Sequence, residues 1–294
     1  MSKTHYCFAT VEGHRLFYRA AGPADGPVVV LLHGFPSSSH MYRDLIPGLQ
    51  DRYHVIAPDM LGFGLSDAPD AREFTYTFDF LAELTERLLR QLGVDRYAMY
   101  VQDYGAPIGW RLALAHPTAI TAIITQNGNG YEAGFVDSAW TRRAQAYGQD
   151  PTPATEAAVR EALTMADIRW QYLTGAPDET LVNPDAWVHD HAFIARPGND
   201  LVQLALFRDY GNNLPLYPAL HRYLRASAVP VLAVWGAGDQ IFGPDGARAF
   251  ADDAHDAEIH LLDGGHFLLE TAAAEVTELI RDFLARRLAD GLRT

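Results

Sequence analysis

One cysteine, Cys7, is the whole thiol content of this 294-residue chain, so no intrachain disulfide can form and a paired-cysteine metal or redox site is excluded. Long apolar runs are missing too: none approaches the roughly 20 residues that a membrane-crossing helix needs. Positive charge is in short supply. Against 37 Asp and Glu stand 23 Lys and Arg, giving a formal net charge of −14, a balance that argues against nucleic acid or an anionic membrane as partner. Also absent are internal repeats, low-complexity tracts and linker-like stretches. The opening residues Met1-Ser2-Lys3-Thr4-His5-Tyr6 lack the apolar core and cleavage site of a secretory leader, so a cytoplasmic protein is expected.

What is present is ordinary globular material, 48% hydrophobic and 20% charged, in a length that suits one α/β core plus an insertion. Cys7 to Val11 and Arg15 to Ala20 read as strands of a hairpin around Glu12-Gly13. Val28 to Leu32 reads as a buried parallel strand leading into His33-Gly34-Phe35-Pro36, with a helix from Met41 to Leu49. Tyr53 to Ala57 is the next strand, followed by a Gly-rich turn through Gly62 and Gly64. That turn has neither the spacing nor the lysine of a phosphate cradle. Phe78, Leu81, Leu84, Leu88 and Leu92 mark one helix ending near Gly93. Ile120 to Gln126, Val231 to Trp235 and Glu258 to Leu262 continue the strands, with helices over Pro244 to Ala254 and through Val276, Ile280 and Phe283. The expected fold is a mostly parallel sheet flanked by helices, from residues 1–126 and 227–294. Residues 127–226 read as an all-helical lid, in which Asn183 caps one helix and Asn199 or Asp200 another.

The chain is organised around Tyr97 to Gly109. A short apolar run, Tyr97 to Val101, ends at Gln102-Asp103, and Gly105 and Gly109 then open a helical pattern. A strand turning abruptly into a helix lifts the turn residue above the sheet edge, the geometry of a nucleophile elbow. Here the elbow carries Asp103 where an esterase has Ser, and Val101 stands where the GxSxG pattern has its first Gly. A carboxylate there suits displacement at saturated carbon, giving an alkyl-enzyme ester that water must cleave. Helix capping is the plainer role for such an Asp. Asp239 and His266 also follow strands, completing the order nucleophile, acid, histidine at one sheet edge.

These features resemble the α/β-hydrolase superfamily over nearly the whole chain, in its Asp-nucleophile branch of epoxide hydrolases and haloalkane dehalogenases. His33-Gly34-Phe35-Pro36 with Ser37 to Arg43 is similar to the epoxide hydrolase oxyanion loop. Val101 to Gly105 and Asp263-Gly264-Gly265-His266-Phe267 resemble dehalogenases as much. The resemblance implies that Asp103 becomes esterified and that His266, oriented by Asp239, activates the water that hydrolyses the ester. It also implies an oxyanion hole made by the backbone N–H groups of Phe35 and Tyr104.

By the same resemblance, an epoxide needs proton donors from the lid, with Tyr147 and Tyr210 as candidates, although Phe207 stands where an epoxide hydrolase would have Tyr. A halide instead needs N–H donors, often a Trp after the nucleophile with an HG-loop Asn or a lid Trp. This chain has Tyr104 and Phe35 at the first two positions, leaving Trp140, Trp170 or Trp187. Epoxide hydrolysis is therefore expected on a small to medium hydrophobic substrate with water, without metal or cofactor. Dehalogenation of a haloalkane or haloacid is the alternative, followed by cofactor-free oxygenation or ligand binding on the same fold. His189-Asp190-His191 does not suit a metal, because its two imidazoles leave a helix on different sides. His116, His255 and His260 read as surface residues, Glu270 as a solvated or structural acid and His33 as a structural hydrogen-bonding group. Nothing in the sequence pattern sets an oligomeric state.

Overall fold

A computed structural model describes residues 3–290. Eight strands form one sheet: β1 His5–Val11, β2 His14–Ala21, β3 Val28–Leu32, β4 His54–Pro58, β5 Tyr97–Gln102, β6 Ile120–Gln126, β7 Val231–Gly236 and β8 Glu258–Leu262. Their spatial order is β1-β2-β4-β3-β5-β6-β7-β8. The β1–β2 hairpin pairs antiparallel, as does β2 with β4, while every pair from β4 through β3 to β8 is parallel. Both faces of a parallel sheet are covered, so β3, β7 and β5 as far as Val101 run as apolar stretches without alternation. The chain leaves β3 toward β4 on one side and returns to β5 on the other. That reversal opens a crevice beyond the carboxyl ends of β3 and β5, where ligands bind in open α/β sheets. Register then sets the site: Leu32 lies opposite Val101, so His33-Gly34-Phe35 and Gln102-Asp103-Tyr104 emerge side by side.

The helices are α1 Ile46–Leu49, α2 Phe78–Gln91, α3 Gly105–Ala115, α4 Ala139–Gln149, α5 Pro153–Arg160, α6 Met165–Leu173, α7 Pro184–Ile194, α8 Asn199–Asp209, α9 Tyr217–Ser227, α10 Pro244–Asp253 and α11 Leu269–Asp290. Thr77 caps α2 by accepting from the Phe80 N–H at 3.1 Å, and its apolar stripe through Phe78, Leu81, Leu84 and Leu88 is buried. The buried face of α11 carries Val276, Ile280 and Phe283. No helix of the described residues is long and apolar enough to cross a membrane. The reading of the opening residues as lacking a leader rests partly on Met1 and Ser2, which lie outside the described residues.

Two local expectations are corrected. Met41 to Leu49 is not one helix: a 3-10 turn over Ser39–Tyr42 is separated from the single turn of α1. Pro47 explains the break, since it has no N–H to give the Arg43 carbonyl and its ring crowds the preceding turn. Asn183 caps α7 as expected, accepting from the Asp185 N–H at 2.9 Å. Neither Asn199 nor Asp200 caps α8; Gly198, at φ +81°, holds that position. Asn199 turns inward and donates to the Phe193 carbonyl at 3.1 Å, while Asp200 accepts from Arg160 at 2.6 Å. Between β6 and β7 every named element is helical, and α9 packs against α3 and α10.

Candidate active site

Asp103 sits at φ +47°, a left-handed backbone conformation that costs a non-glycine residue roughly 1–3 kcal/mol and persists only when its surroundings fix it. Two glycines do so. A Cβ at Gly105 would lie 2.0 Å from the Leu32 carbonyl oxygen, so α3 can begin only this close to β3 without a side chain. A Cβ at Gly34 would lie 2.3 Å from that of Asp103. The carboxylate is thereby brought against the β3 loop, where Oδ1 accepts from the Phe35 N–H at 2.6 Å. The Tyr104 N–H also bonds this carboxylate. The two expected oxyanion donors thus converge on Asp103 itself.

The imidazole of His266 is buried beside it, with Nε2 3.8 Å from Asp103 Oδ2 and Nδ1 2.8 Å from Asp239 Oδ2. Asp239 is fixed in turn: Oδ1 accepts from the Ile241 N–H at 2.7 Å and Oδ2 from Asn127 Nδ2 at 2.8 Å. Burial pushes the Asp103 carboxyl up to about 6, against the opposing pull of His266 and the Phe35 and Tyr104 N–H groups. Burial alone would push His266 down, but the neighbouring Asp239, its hydrogen bond and the Asp103 charge outweigh that and raise it. Asp103, Asp239 and His266, far apart in sequence, therefore form one electrostatically coupled group, in which a hydrogen bond joins Asp239 to His266 and charge alone joins His266 to Asp103.

Three amides that the motif reading passed over complete the surroundings. Asn127, at φ +46° just past β6, accepts from the Gly236 N–H at 2.9 Å while it holds Asp239. Gln126 donates to Asn127 Oδ1 at 2.7 Å and to the His266 carbonyl at 3.0 Å. Gln102 places Nε2 3.0 Å from His266 Nε2. The available pointer was their position: polar residues closing buried strands at the edge that carries the acid and the histidine.

A cavity of about 310 Å³ opens over Asp103, with walls that include Tyr104, Phe135, Trp140, Phe207, Tyr210 and Phe242. A larger open groove of about 730 Å³, between Glu86, Arg90 and His116, touches none of the three. Tyr210 lines the Asp103 cavity with its ring 5.8 Å from that of Tyr104. Burial, with Tyr217, Asp103 and Tyr104 nearby, holds its phenol well above the ordinary range, so it stays protonated. The Tyr104 hydroxyl is buried with no hydrogen-bond partner, as is Trp140 Nε1. Tyr147 does not line this cavity. On α4 the lining face runs through Trp140, Ala144 and Gly148, and Tyr147 turns off that face toward Glu156, Arg208 and Arg160. Trp170 and Trp187 are absent from the cavity walls as well.

The residues set aside in sequence take structural places. His33 accepts from the Met60 N–H at 3.0 Å through Nε2, and burial lowers its pKa, keeping it neutral. Glu270 is not solvated; it lies buried against Arg43, with bonds of 3.0 and 2.6 Å. Asp190 is buried on the Tyr172 hydroxyl with His189 Nδ1 at 3.3 Å. His116 and His255 are exposed and His260 is half-buried. Among the described residues no group of three or more His, Cys, Asp or Glu side chains is placed to hold a metal ion.

Residues 27–273 match the model of a family described as alpha/beta hydrolase fold. An uncharacterized hydrolase of Saccharomyces cerevisiae is 42% identical over 277 residues, covering 93% of this chain and 94% of that protein. A haloalkane dehalogenase of Mycobacterium marinum is 43% identical over 115 residues, covering 39% of this chain and 38% of its own length. Epoxide hydrolase 3 of Mus musculus is 24% identical over 298 residues, covering 95% and 78% respectively.

Proposed function

The chain belongs to the alpha/beta hydrolase fold family, and from that premise we propose that it hydrolyses a small to medium hydrophobic epoxide through an ester on Asp103. The observation that carries the reading is the nucleophile's surroundings. Asp103 is a buried carboxylate at a strained turn, with Oδ1 2.6 Å from the Phe35 N–H, and it faces a cavity on which Tyr104 and Tyr210 lie with ring centroids 5.8 Å apart. Helices α4 to α8 serve as the lid.

Oδ2 of Asp103 attacks an epoxide carbon and the C–O bond breaks, while a tyrosine hydroxyl gives its proton to the departing oxygen. Tyr210 suits that donation because its phenol is held protonated. Esterification removes the Asp103 charge that helped raise His266, so more of the imidazole is neutral and able to accept a proton in the second step. Nε2 then takes a proton from water and the hydroxide adds to Cγ. The resulting oxyanion forms on Oδ1, to which the Phe35 N–H already donates, with the Tyr104 N–H bonding the same carboxylate. Collapse expels the diol oxygen, which recovers the proton from His266, and the second water proton, left on the Asp103 carboxyl, returns to the tyrosinate. Asp239 keeps Nδ1 protonated and stabilises the imidazolium.

One observation favours a second reading, haloalkane dehalogenation: Trp140 Nε1 is a buried donor without a protein partner on a side chain that lines the cavity. Such a group suits a departing halide. The two readings separate by mass in a His266→Gln variant, which forms the ester and stalls. An epoxide adds its whole mass to Asp103, whereas a haloalkane adds its mass less hydrogen halide. No adduct across a broad panel of both, with the protein folded, contradicts the covalent reading.

A further inference from the structure

Around His266 the amides differ in one respect. Asn127 and Gln126 use both ends of their carboxamides, Asn127 on Gly236, Gln126 and Asp239, and Gln126 on Tyr100, Asn127 and the His266 carbonyl. They are locked. Gln102 is fully buried, yet among the described residues its side chain makes one hydrogen bond, from Nε2 to His266 Nε2 at 3.0 Å, and its Oε1 has no partner. It closes β5 immediately before Asp103, so it faces the ring nitrogen that must do the chemistry.

A carboxamide carries a donor and an acceptor about 2 Å apart on one rotatable plane. Neutral His266, with Nδ1–H given to Asp239, offers a lone pair at Nε2, which the Gln102 N–H can meet. Once His266 has taken a proton from water, Nε2 becomes a donor, and the same amide must present oxygen or leave a buried N–H unpaired. The free Oε1 meets that need, because no other group among the described residues holds it in place.

We propose that Gln102 is a positioning residue for ester hydrolysis. Its carboxamide holds His266 Nε2 before and after the proton transfer: it donates N–H to the resting imidazole, swings off that single lone pair as water takes its place, and accepts from the imidazolium through Oε1. The proposal rests on the covalent reading above. In the step it assists, a water O–H bond breaks, the proton goes to Nε2 and the oxygen bonds to Asp103 Cγ. Release of the diol oxygen then returns the proton, and Gln102 itself exchanges none.

Gln102→Met keeps the length without the amide, and Gln102→Glu replaces the neutral acceptor with a charged one. Rapid quench with mass detection, on an epoxide that esterifies the His266→Gln variant, separates formation of the ester from its hydrolysis. Formation is expected to stay within about threefold of wild type in Gln102→Met while hydrolysis slows at least tenfold, so the ester accumulates. In Gln102→Glu the pH at which hydrolysis sets in moves up by one unit or more, since the carboxylate keeps the proton on Nε2. Imidazole nitrogen NMR of the resting enzyme gives a readout independent of turnover, and the His266 titration moves up in Gln102→Glu. Wild-type hydrolysis in both variants, or an unmoved titration, overturns the proposal. A moved titration without ester in His266→Gln leaves the hold on the imidazole standing and rejects the covalent reading instead.

Discussion

At the carboxyl ends of β6 and β7, Gln126, Asn127 and Asp239 are each tied at both polar atoms by backbone or neighbouring side chains. In the helical segment, Trp140 Nε1 and both polar atoms of Gln171 and Gln203 are buried without a partner among the described residues. A fixed set of dipoles costs nothing to reorganise when charge develops, which is what acid–base and oxyanion chemistry require. Unsatisfied buried groups, in contrast, are rare in native proteins and mark places where a ligand or ordered water completes the bonding. In the proposed function the sheet edge would carry the reaction and the helical segment, through Trp140 on the cavity wall, would bear on the choice of substrate.

Substitutions at the two places should separate that division, beginning with the sheet edge. Asp103→Asn is expected to lower turnover by at least about 10⁴-fold with ligand binding retained. Undiminished activity in a variant shown by mass not to have deamidated would remove Asp103 from the nucleophile role. In the helical segment, Tyr210→Phe should slow the opening of an epoxide by about 10²-fold. Tyr147→Phe, whose ring lies off the cavity wall, should stay within about twofold. Equal losses at 147 and 210 would contradict the placement of α4.

Two smaller effects come from the Asp103 charge. Ester formation needs the carboxylate, so its rate should fall as pH drops below about 6, the value to which burial raises this group. Single-turnover rates between pH 5 and 8 check this, and a flat profile would mean that the group titrates lower. Stability runs the other way. With a folded pKa of about 6 against an ordinary value of 3.8, the folded chain retains a proton that the unfolded chain has lost between those limits. Stability accordingly falls as pH rises through that window and stays reduced above it, by roughly 1–3 kcal/mol. Asp103→Asn should therefore unfold at higher denaturant than wild type at pH 8, with the gain vanishing near pH 4.

The sheet was readable because its strands are short apolar runs bounded by turn residues. β3, β6 and β8 begin and end where the apolar pattern does. The convergence of Asp103, Asp239 and His266 was readable for the same reason, since each follows such a run at one sheet edge. Helical detail was less accessible. Which way Tyr147 points depends on how α4 rolls against α8, and periodicity along one helix does not set its rotation against another. The α8 cap was misassigned because Asn199 and Gly198 both suit a helix start, and the choice went to the inward bond that Asn199 makes with Phe193. Asn127 and Gln102 act through contacts with residues more than 100 positions away, beyond any local pattern.

The most direct measurement is a single turnover in water enriched in heavy oxygen, with enzyme in excess over substrate, followed by mass analysis of the peptide that carries Asp103. Hydrolysis of an ester at Cγ puts the solvent oxygen into the carboxylate, so the account predicts a labelled Asp103 and a product that leaves unlabelled in the first turnover. Label in the product with none in Asp103 would mean that water attacks the substrate directly, and the covalent mechanism would fall.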